Sequence, residues 1–335
     1  MRAAIIGCGA IAQLHKQVLL KLPEAELVAC CDIKLERAEA FAQSCGIRAY
    51  RDVETMLDAE KPEVVHLCVP HFLHTPMTVL CVKRGIHVFT EKPPVVSREQ
   101  WQQLSDLERE RARVGICFQN RYNPSVQAAR TLLGSSTVGE VLGARAFLTW
   151  RREPDYYRSS DWKGCWQTEG GGVLINQAIH TLDLLVYLLG KPKAVQSHMS
   201  NHSLQKEIEV EDTLEANIGF VSGVHALFYA TNAYCTNAPV LLEIVCKKAT
   251  LRLEGDTLTI LRSDGTREQL QFDTDGEKPL GKDYWGNSHY TCIRDFYRCV
   301  QRGIPYQNDI PSVRDTMELM LKMYEPYRGR KVAEM

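Results

Sequence analysis

The chain has 335 residues, of which 44% are hydrophobic and 24% are charged, and its formal net charge is −1 at pH 7. This length and composition are ordinary for a globular protein of two domains. The near-neutral charge, without a long run of Lys or Arg, excludes nucleic acid and anionic membrane surfaces as main partners.

The sequence shows no signal peptide and no apolar stretch of membrane-spanning length. Twelve cysteines are present, most of them inside apolar strand or helix patterns, and no two form a C-x-x-C pair. This distribution favours buried free thiols over disulfides or a structural zinc site. We therefore expect a protein of the reducing cytoplasm.

The first 120 residues alternate between apolar strands and amphipathic helices, which predicts a parallel sheet covered on both faces. The predicted strands are Ala3–Ile6, Glu26–Cys31, Val64–Val69, His87–Thr90 and Val114–Gln119. The predicted helices are Ile11–Lys21, Leu35–Cys45, Pro76–Arg84 and Arg98–Arg111.

After Asn123–Pro124 a short helix, Ser125–Leu133, leads into alternating polar and apolar segments. Such segments are typical of an antiparallel sheet with one solvated face; they are Val141–Thr149, Thr213–Phe220, Val224–Thr231, Leu241–Cys246, Thr250–Leu253 and Thr257–Arg262. Helices are predicted at about 287–301 and 311–327 and can pack back on the first domain. The fold class is therefore an α/β domain with a doubly wound parallel sheet, residues 1–122, followed by an α+β domain with a large, mostly antiparallel open sheet, residues 123–335.

A glycine-rich turn, Gly7–Cys8–Gly9–Ala10–Ile11–Ala12, joins the first strand to the first helix. This pattern suits a dinucleotide pyrophosphate at a helix N-terminus, although a tight strand–helix turn alone can also require glycine. Asp32 ends the second strand, where a carboxylate can accept hydrogen bonds from a ribose diol; a strand-end cap is the alternative role. Because a carboxylate repels a 2′-phosphate, NAD is favoured over NADP, with Arg37 as the group that could tolerate the phosphate.

Two further segments are predicted at the carboxyl edge of the parallel sheet, where ligands bind in such folds. In Pro70–His71–Phe72–Leu73–His74, cofactor contact or helix capping is favoured over metal binding, because no acidic or cysteine ligands surround it. In Glu91–Lys92–Pro93–Pro94, the prolines stiffen the backbone that presents Lys92. An exposed lysine in a turn is the alternative.

A polar seam runs along an otherwise apolar helix predicted from Val173 to Leu189. At 3.6 residues per turn its members fall within roughly 60° of one another; they are Asn176, His180, Asp183 and Tyr187. A histidine on a helix that is apolar nearly all round, with a carboxylate one turn away, suggests proton transfer beside a bound dinucleotide.

Together these segments resemble the glucose–fructose oxidoreductase / inositol dehydrogenase (Gfo/Idh/MocA) family over nearly the whole chain. The matching stretches are Gly7–Ala12, Asp32, Val69–Pro70 with His74, Glu91–Lys92–Pro93, Asn120–Pro124, Trp162–Gly164, Glu169–Gly172, Asn176–Asp183, Glu211–Thr213 and Asp295–Phe296. The resemblance implies a Rossmann domain, a nicotinamide cofactor, a sugar or polyol substrate, and a second sheet whose outer face often mediates oligomers. It also implies that Lys92 contacts the nicotinamide ribose and a substrate hydroxyl, and that His180 acts as acid and base. Asn176 departs from the aspartate that many members have there, and its carboxamide cannot accept a proton.

These observations predict an NAD-dependent enzyme that oxidises a secondary hydroxyl of a sugar, inositol or related compound to a ketone, acting as a homodimer or homotetramer. The predicted catalytic residues are Lys92, His180, Asn176 and Asp183. For Asp183, which could fix the tautomer of His180, a helix-surface or cap-binding carboxylate is the alternative. The predicted cofactor-binding residues are Gly7, Cys8, Gly9, Ala10, Ile11, Asp32, Ile33, Arg37, Val69, His71, His74, Glu91, Lys92 and Arg121. The predicted substrate-binding residues are Arg121, Tyr157, Trp162, Lys163, Asn176, His180 and Tyr284, with Tyr156, Arg158 and His289 nearby; no metal is expected. The alternatives are an NAD-retaining glycosidase that oxidises a sugar transiently, and a non-catalytic dinucleotide-binding regulator.

Overall fold

A computed structural model describes residues 1–272, 288–328 and 332. The described residues form two compact units. The first contains residues 1–117 and 289–313, and the second contains residues 118–272, 288 and the described residues from 314 onward. The described chain therefore passes from one unit to the other near residue 118, between Ser288 and His289, and again within the last helix, after Val313.

The first unit is built on a six-stranded sheet whose neighbouring strands are all parallel. Its strands are β1 (Arg2–Ile6), β2 (Glu26–Cys31), β3 (Arg48–Tyr50), β4 (Val64–Leu67), β5 (His87–Thr90) and β6 (Val114–Ile116). The strand order is β3-β2-β1-β4-β5-β6, which is the order of a doubly wound dinucleotide-binding sheet. The order reverses beside β1, so the carboxyl ends of β1 and β4 flank the position where such sheets bind ligands.

The helices of the first unit connect these strands. They are α1 (Ala10–Lys21), α2 (Leu35–Gln43), α3 (Val53–Glu60), α4 (His71–Lys83) and α5 (Arg98–Ser105), with a 3₁₀ turn at Asp106–Arg109. Later in the chain, α9 (His289–Arg302) also belongs to this unit, and Phe296 and Tyr297 on it are fully buried. A helix from the end of the chain thus supplies aromatic core side chains to the first unit.

The second unit is built on an eight-stranded sheet. Its strands are β7 (Val141–Thr149), β8 (Pro192–Ser200), β9 (Thr213–Phe220), β10 (His225–Thr231), β11 (Leu241–Cys246), β12 (Ala249–Glu254), β13 (Thr257–Arg262) and β14 (Arg267–Gln271). The strand order is β14-β13-β12-β11-β7-β10-β9-β8, and only the β7–β10 pair among these described strands is parallel. One face is apolar and buried, as the alternating pattern predicts.

The helical segments of this unit are α6 (Pro124–Leu133), α7 (Pro154–Arg158), α8 (Ile179–Leu189) and most of α10 (Ile310–Tyr324). A 3₁₀ turn covers Gln119–Tyr122, and a π-helical segment, Leu174–Ala178, directly precedes α8. The fold class predicted from the sequence is confirmed in both units.

Several predicted boundaries are wrong. The predicted strand through Gln119 ends at Ile116, since the chain enters the 3₁₀ turn, and α4 begins at His71 rather than Pro76. Among the described residues no helix combines the length and apolarity needed to cross a bilayer. All twelve cysteines are free, and nine of them are buried; the cytoplasmic location itself stays a prediction.

Candidate functional site

Gly7 makes the sharp turn that follows β1. Its φ is +88°, a conformation that residues with a side chain rarely adopt. A Cβ at this position would lie 2.4 Å from the carbonyl oxygen of Cys68, so only glycine lets the turn pass the end of β4 this closely.

Gly9 occupies a different environment one residue before α1. A Cβ there would meet no atom of the described residues within 4 Å, and no side chain in that part of the chain caps the N-terminus of α1. The first helical turn, which begins at Ala10, therefore has no side-chain cap, and the space where a side chain of residue 9 would lie is open. Such an N-terminus fits the pyrophosphate of a dinucleotide.

The carboxylate of Asp32 ends β2 next to this turn. One oxygen accepts the backbone N–H of Cys8 at 3.0 Å, and the other accepts that of Lys34 at 2.9 Å. Arg37 is half exposed and its guanidinium lies 3.4 Å from the carboxylate. Because a carboxylate offers about four acceptor positions, Asp32 retains capacity for a ribose diol, and Ile33 beside it is exposed.

His71 and His74 are both buried in the first turn of α4. The two ring nitrogens of His74 lie 2.6 Å from the carbonyl oxygen of Pro93 and 2.9 Å from that of Val69. His74 thus links the segment after β4 to the segment after β5, next to Lys92.

Lys92 is half-buried, whereas every other residue from Val88 to Val96 is buried. Its neighbour Glu91 is buried and accepts a 3.0 Å hydrogen bond from His15. Burial alone raises the pKa of Glu91, but the hydrogen bond and charge of His15 outweigh it and hold the pKa far below the usual range. The strand that presents Lys92 is therefore anchored by a buried ion pair.

Cys117 joins this pair. The potential ligand atoms of His15, Glu91 and Cys117 lie within 4.8 Å of one another. Burial lowers the pKa of His15, whereas Cys68 and Glu91 raise it, and the net result is a pKa of about 10. The 3.0 Å contact between His15 and Glu91 fits a hydrogen-bonded ion pair.

The helix that carries the polar seam lies in the second unit and has two partly accessible side chains in an otherwise buried stretch. Between Gly171 and Val186, a range that the structure describes completely, Asn176 and His180 are half-buried and all other residues are buried. The predicted regular α-helix is wrong at its start, because Leu174–Ala178 is π-helical. Single π turns occur frequently at functional sites, and this one contains Asn176.

Asp183 and Arg121 form a buried ion pair one turn beyond His180. The guanidinium donates two hydrogen bonds to the carboxylate, at 2.7 Å and 2.5 Å, and Thr316 donates a third at 2.9 Å. Both charged side chains are at most 2% exposed. The Tyr187 hydroxyl accepts hydrogen bonds from Gln127 and Arg130. Asp183 and Arg121 therefore bind each other in this structure. The predicted catalytic role of Asp183 and the predicted cofactor and substrate contacts of Arg121 stay predictions.

Asn176 belongs to a network of polar side chains. Its amide nitrogen lies 2.5 Å from a carboxylate oxygen of Glu169 and 3.3 Å from the hydroxyl of Tyr156. Gln177 also donates to Tyr156, at 3.1 Å, and Asn232 donates to both Gln177 and Tyr157. Burial raises the pKa of Tyr156 to about 12, so this hydroxyl stays neutral at physiological pH.

Of the other predicted substrate residues, Lys163 lies against Tyr156. The ammonium group of Lys163 lies 3.6 Å from the centre of the Tyr156 ring and 5.8 Å from that of Trp162. Tyr157 is buried, and Arg158 forms an exposed ion pair with Glu207. Tyr284 lies outside the described residues, and His289 is buried in the first unit.

Sequence reasoning assigned no role to Glu169, Glu211 or His15, although the structure makes each a buried polar contact. Glu169 and Glu211 sit at the two segments that meet at Gly172, since Glu211 accepts the backbone N–H groups of Gly172 and Leu174. Burial raises the pKa of each carboxyl group to about 7. For Glu169 the sequence did offer a signal, because this acidic residue directly precedes three glycines and a helix predicted to be buried.

Comparison with known proteins agrees with this arrangement. Residues 1–118 match the family model described as "Oxidoreductase family, NAD-binding Rossmann fold", and residues 126–252 match the GFO/IDH/MocA C-terminal domain. D-glucoside 3-dehydrogenase of Escherichia coli is 34% identical over 212 residues, which are 62% of this chain but only 58% of that protein. Trans-1,2-dihydrobenzene-1,2-diol dehydrogenase of Mus musculus is 29% identical over 98% of this chain and 96% of its own length.

A solved structure with the same fold is that of the WlbA dehydrogenase from Chromobacterium violaceum in complex with NADH and UDP-GlcNAcA. It is 26% identical, covers 99% of this chain and 95% of its own, and has a TM-score of 0.85. The open helix N-terminus beside Gly9 and the acceptor Asp32 fit the same dinucleotide. The chain therefore belongs to the GFO/IDH/MocA family of oxidoreductases, whose first domain is an NAD-binding Rossmann fold.

Proposed function

We propose that this protein oxidises a secondary hydroxyl group of a sugar, an inositol or a sugar derivative to a ketone. Bound NAD supplies the hydride acceptor for such a reaction. His180 accepts the proton of the reacting hydroxyl as a general base, and Lys92 stabilises the negative charge that develops on its oxygen. Asn176 binds the hydroxyl without taking its proton.

The observation that carries the proposal is the burial pattern around these side chains. Within two otherwise buried segments, Val88–Val96 and Gly171–Val186, the only side chains that are not buried are Lys92, Asn176 and His180, and both segments are fully described. These three side chains offer a cation, an amide and an imidazole from segments whose other residues are buried. A ligand-facing role explains all three.

The substrate class is drawn from the relatives and from the residues near Tyr156. The curated relatives compared above are named as dehydrogenases of a glucoside and of a diol. Aromatic rings and amide groups, such as those of Tyr156, Trp162 and Gln177, suit the faces and hydroxyl groups of a sugar. The proposal covers this class and leaves the individual sugar to experiment.

The test is NADH formation with inositols, hexoses, aminosugars and uronates, with NAD and NADP in parallel. We expect His180→Asn to lower kcat by roughly 10²–10⁴-fold and Lys92→Met to lower it about 10²-fold. Matched controls are the exposed residues His198 and Lys193, whose variants His198→Asn and Lys193→Met should keep the parent rate. If both site variants stay within a few-fold of the parent, the assignment is wrong.

The same screen separates the two alternatives. An enzyme that retains NAD through purification and turns over glycosides without net NADH is the transient-redox glycosidase. A protein that binds NADH but oxidises none of these compounds behaves as a regulator. Steady NADH production with any candidate substrate contradicts both alternatives.

We also propose a homodimer or homotetramer formed through the outer face of the second sheet. Leu227, Val245 and Leu261 lie on one face of three strands and are 37–51% exposed. Because an exposed apolar surface on a sheet favours association, Leu227→Asp should yield a smaller species in sedimentation velocity. An unchanged sedimentation coefficient contradicts this interface.

A further inference from the structure

Glu169 lies directly behind the accessible amide of Asn176. Its side chain is 1% exposed. One carboxylate oxygen accepts the backbone N–H of Gly164 at 2.5 Å, and the other lies 2.5 Å from the amide nitrogen of Asn176. A buried carboxylate thus contacts one of the two half-buried residues between Gly171 and Val186.

The chemistry of the amide fixes its orientation. An ionised carboxylate only accepts hydrogen bonds, so the group of Asn176 that faces it must be the NH₂ group. The amide oxygen is attached to the same planar carbon and then points away from Glu169. The ionised form of Glu169 therefore keeps the Asn176 oxygen out of this contact.

We propose that Glu169 is a positioning residue that holds the Asn176 amide so that its oxygen accepts a hydrogen bond from the substrate hydroxyl, next to the base His180. This inference rests on the function proposed above and deepens it. In this proposal Glu169 orients the substrate hydroxyl through Asn176, without contacting the substrate itself.

The proposal makes substrate recognition dependent on pH. Burial raises the pKa of Glu169 to about 7, whereas Gly164, Asn176 and Lys163 oppose this rise. The titratable groups that interact electrostatically with it are Lys163, Glu211, Tyr156, Tyr157 and Tyr324. The protonated carboxyl group can donate to Asn176, and the amide then turns its oxygen inward, away from the substrate.

Glu169→Gln reproduces the inward orientation at every pH. Since the N–H of Gly164 requires an acceptor, the amide oxygen of the introduced glutamine faces Gly164 and its NH₂ group faces Asn176. The amide of Asn176 must then present its oxygen to that NH₂ group. Glu169→Asp keeps the charge and serves as the conservative variant.

Glu211 provides a matched control for the burial of a carboxylate. It is fully buried and its pKa is also raised to about 7, but it accepts hydrogen bonds from Gly172, Leu174 and Tyr324. Glu211→Gln therefore removes a carboxylate of the same environment without removing the contact to Asn176. Its effects on activity should add to those of Asn176→Ala.

The first experiment measures kcat and KM between pH 5 and 9, a range of about two units on either side of the expected transition, with the sugar identified in the screen. We expect kcat/KM of the parent to rise with pH for two reasons, because the base His180 must lose its proton and because Glu169 ionises near pH 7. The contribution of Glu169 should be about tenfold, the worth of one neutral hydrogen bond. Glu169→Gln should abolish that contribution, and Glu169→Asp should retain it. In an Asn176→Ala background, Glu169→Gln should have little further effect. Additive effects, or an unchanged pH transition in Glu169→Gln, overturn the proposal while the proposed function stands.

The second experiment needs no substrate. Infrared titration of the intact protein follows the carboxyl band that Glu169→Gln removes. Because the hydrogen bond from Asn176 lowers the pKa of Glu169, Asn176→Ala should raise the midpoint of this band, and Glu211→Gln should leave the band present. If the midpoint of this band does not move in Asn176→Ala, the contact between Glu169 and Asn176 is contradicted, whether or not any sugar is oxidised. If only the sugar screen fails, the result counts against the proposed function.

Discussion

Buried carboxylates are held in two ways in this protein, and Glu91 of the first unit differs in this respect from Glu169 and Glu211 of the second. In the first unit, Glu91 faces the imidazole of His15 at 3.0 Å, and both side chains carry charge at neutral pH. In the second unit, Glu169 and Glu211 are held by N–H and O–H donors, and burial brings the pKa of each to about 7. A neighbouring cation keeps a buried acid ionised, whereas neutral donors leave it ready to titrate.

This difference gives the units different responses to pH. The pKa of Glu91 is lowered, so its contribution to stability is present above the unfolded pKa of about 4.3 and is lost only in strong acid. The pKa of Glu169 and Glu211 is raised, so the folded state binds more protons than the unfolded state between about pH 4.5 and 7, and the stability of the second unit falls as pH rises through that window. The pKa of His15 is also raised, to about 10, so the first unit loses its contribution at higher pH, between about 6.5 and 10.

The largest expected effect comes from breaking the ion pair of the first unit. His15→Leu leaves the carboxylate of Glu91 buried without its cation, and we expect the free energy of unfolding of this unit to fall by about 3–5 kcal/mol. Hydrogen exchange of β1, β4 and β5 in increasing urea measures this loss unit by unit. The double variant His15→Leu/Glu91→Met should recover most of it, and equal losses in single and double variants would show that the buried charge is not the cause.

The second prediction concerns the titrating carboxylates. Between pH 5 and 8, the second unit of the parent should lose on the order of 2–3 kcal/mol for each raised pKa. Glu211→Gln lowers stability overall, because its NH₂ group meets backbone donors, but it should flatten this pH dependence. Hydrogen exchange of β9 and α8 across the pH series provides the measurement, and an equally steep loss in the variant would contradict the assignment.

Much of the fold could be predicted from the sequence, because apolar runs such as Ala3–Ile6 and Val64–Leu67 specify a parallel sheet through burial alone. Three strands were missed because they lack that signal. Arg48–Tyr50 has only three residues, Pro192–Ser200 has a single buried residue, and Arg267–Gln271 is almost fully exposed. The π segment was missed because polar residues four apart fit an α-helix equally well. The contact between Glu169 and Asn176 was missed because a loop brings the glutamate to the helix, and periodicity carries no information about loops.

The glycines of the two units offer a third test. A Cβ at Gly172 would lie 1.8 Å from the carbonyl oxygen of Glu211, whereas a Cβ at Gly9 meets nothing within 4 Å among the described residues. Gly172→Ala should destabilise the second unit by about 1–3 kcal/mol through overpacking. Gly9→Ala should leave the melting temperature unchanged and weaken NADH binding about tenfold, because the methyl group occupies space where the pyrophosphate approaches. NADH fluorescence titration and thermal melts of both variants distinguish a loss of NADH affinity from a loss of stability. Normal NADH binding by Gly9→Ala would count against the cofactor assignment.

The smallest expected effect concerns a carboxylate that belongs to neither class. Asp32 is bound by the N–H groups of Cys8 and Lys34, and the half-exposed Arg37 lies 3.4 Å away. Asp32→Asn keeps the shape, replaces one acceptor oxygen by an NH₂ group and removes the charge that repels a 2′-phosphate. The affinity ratio of NADPH to NADH should therefore rise about tenfold, as expected for the loss of one like-charge contact at a partly screened site. Arg37→Gln should shift the ratio slightly toward NADH if the guanidinium tolerates the phosphate, and not at all if it only neutralises Asp32. If Asp32→Asn leaves the ratio unchanged, this carboxylate caps its own strand end, and the preference for NAD must come from other residues of the first unit.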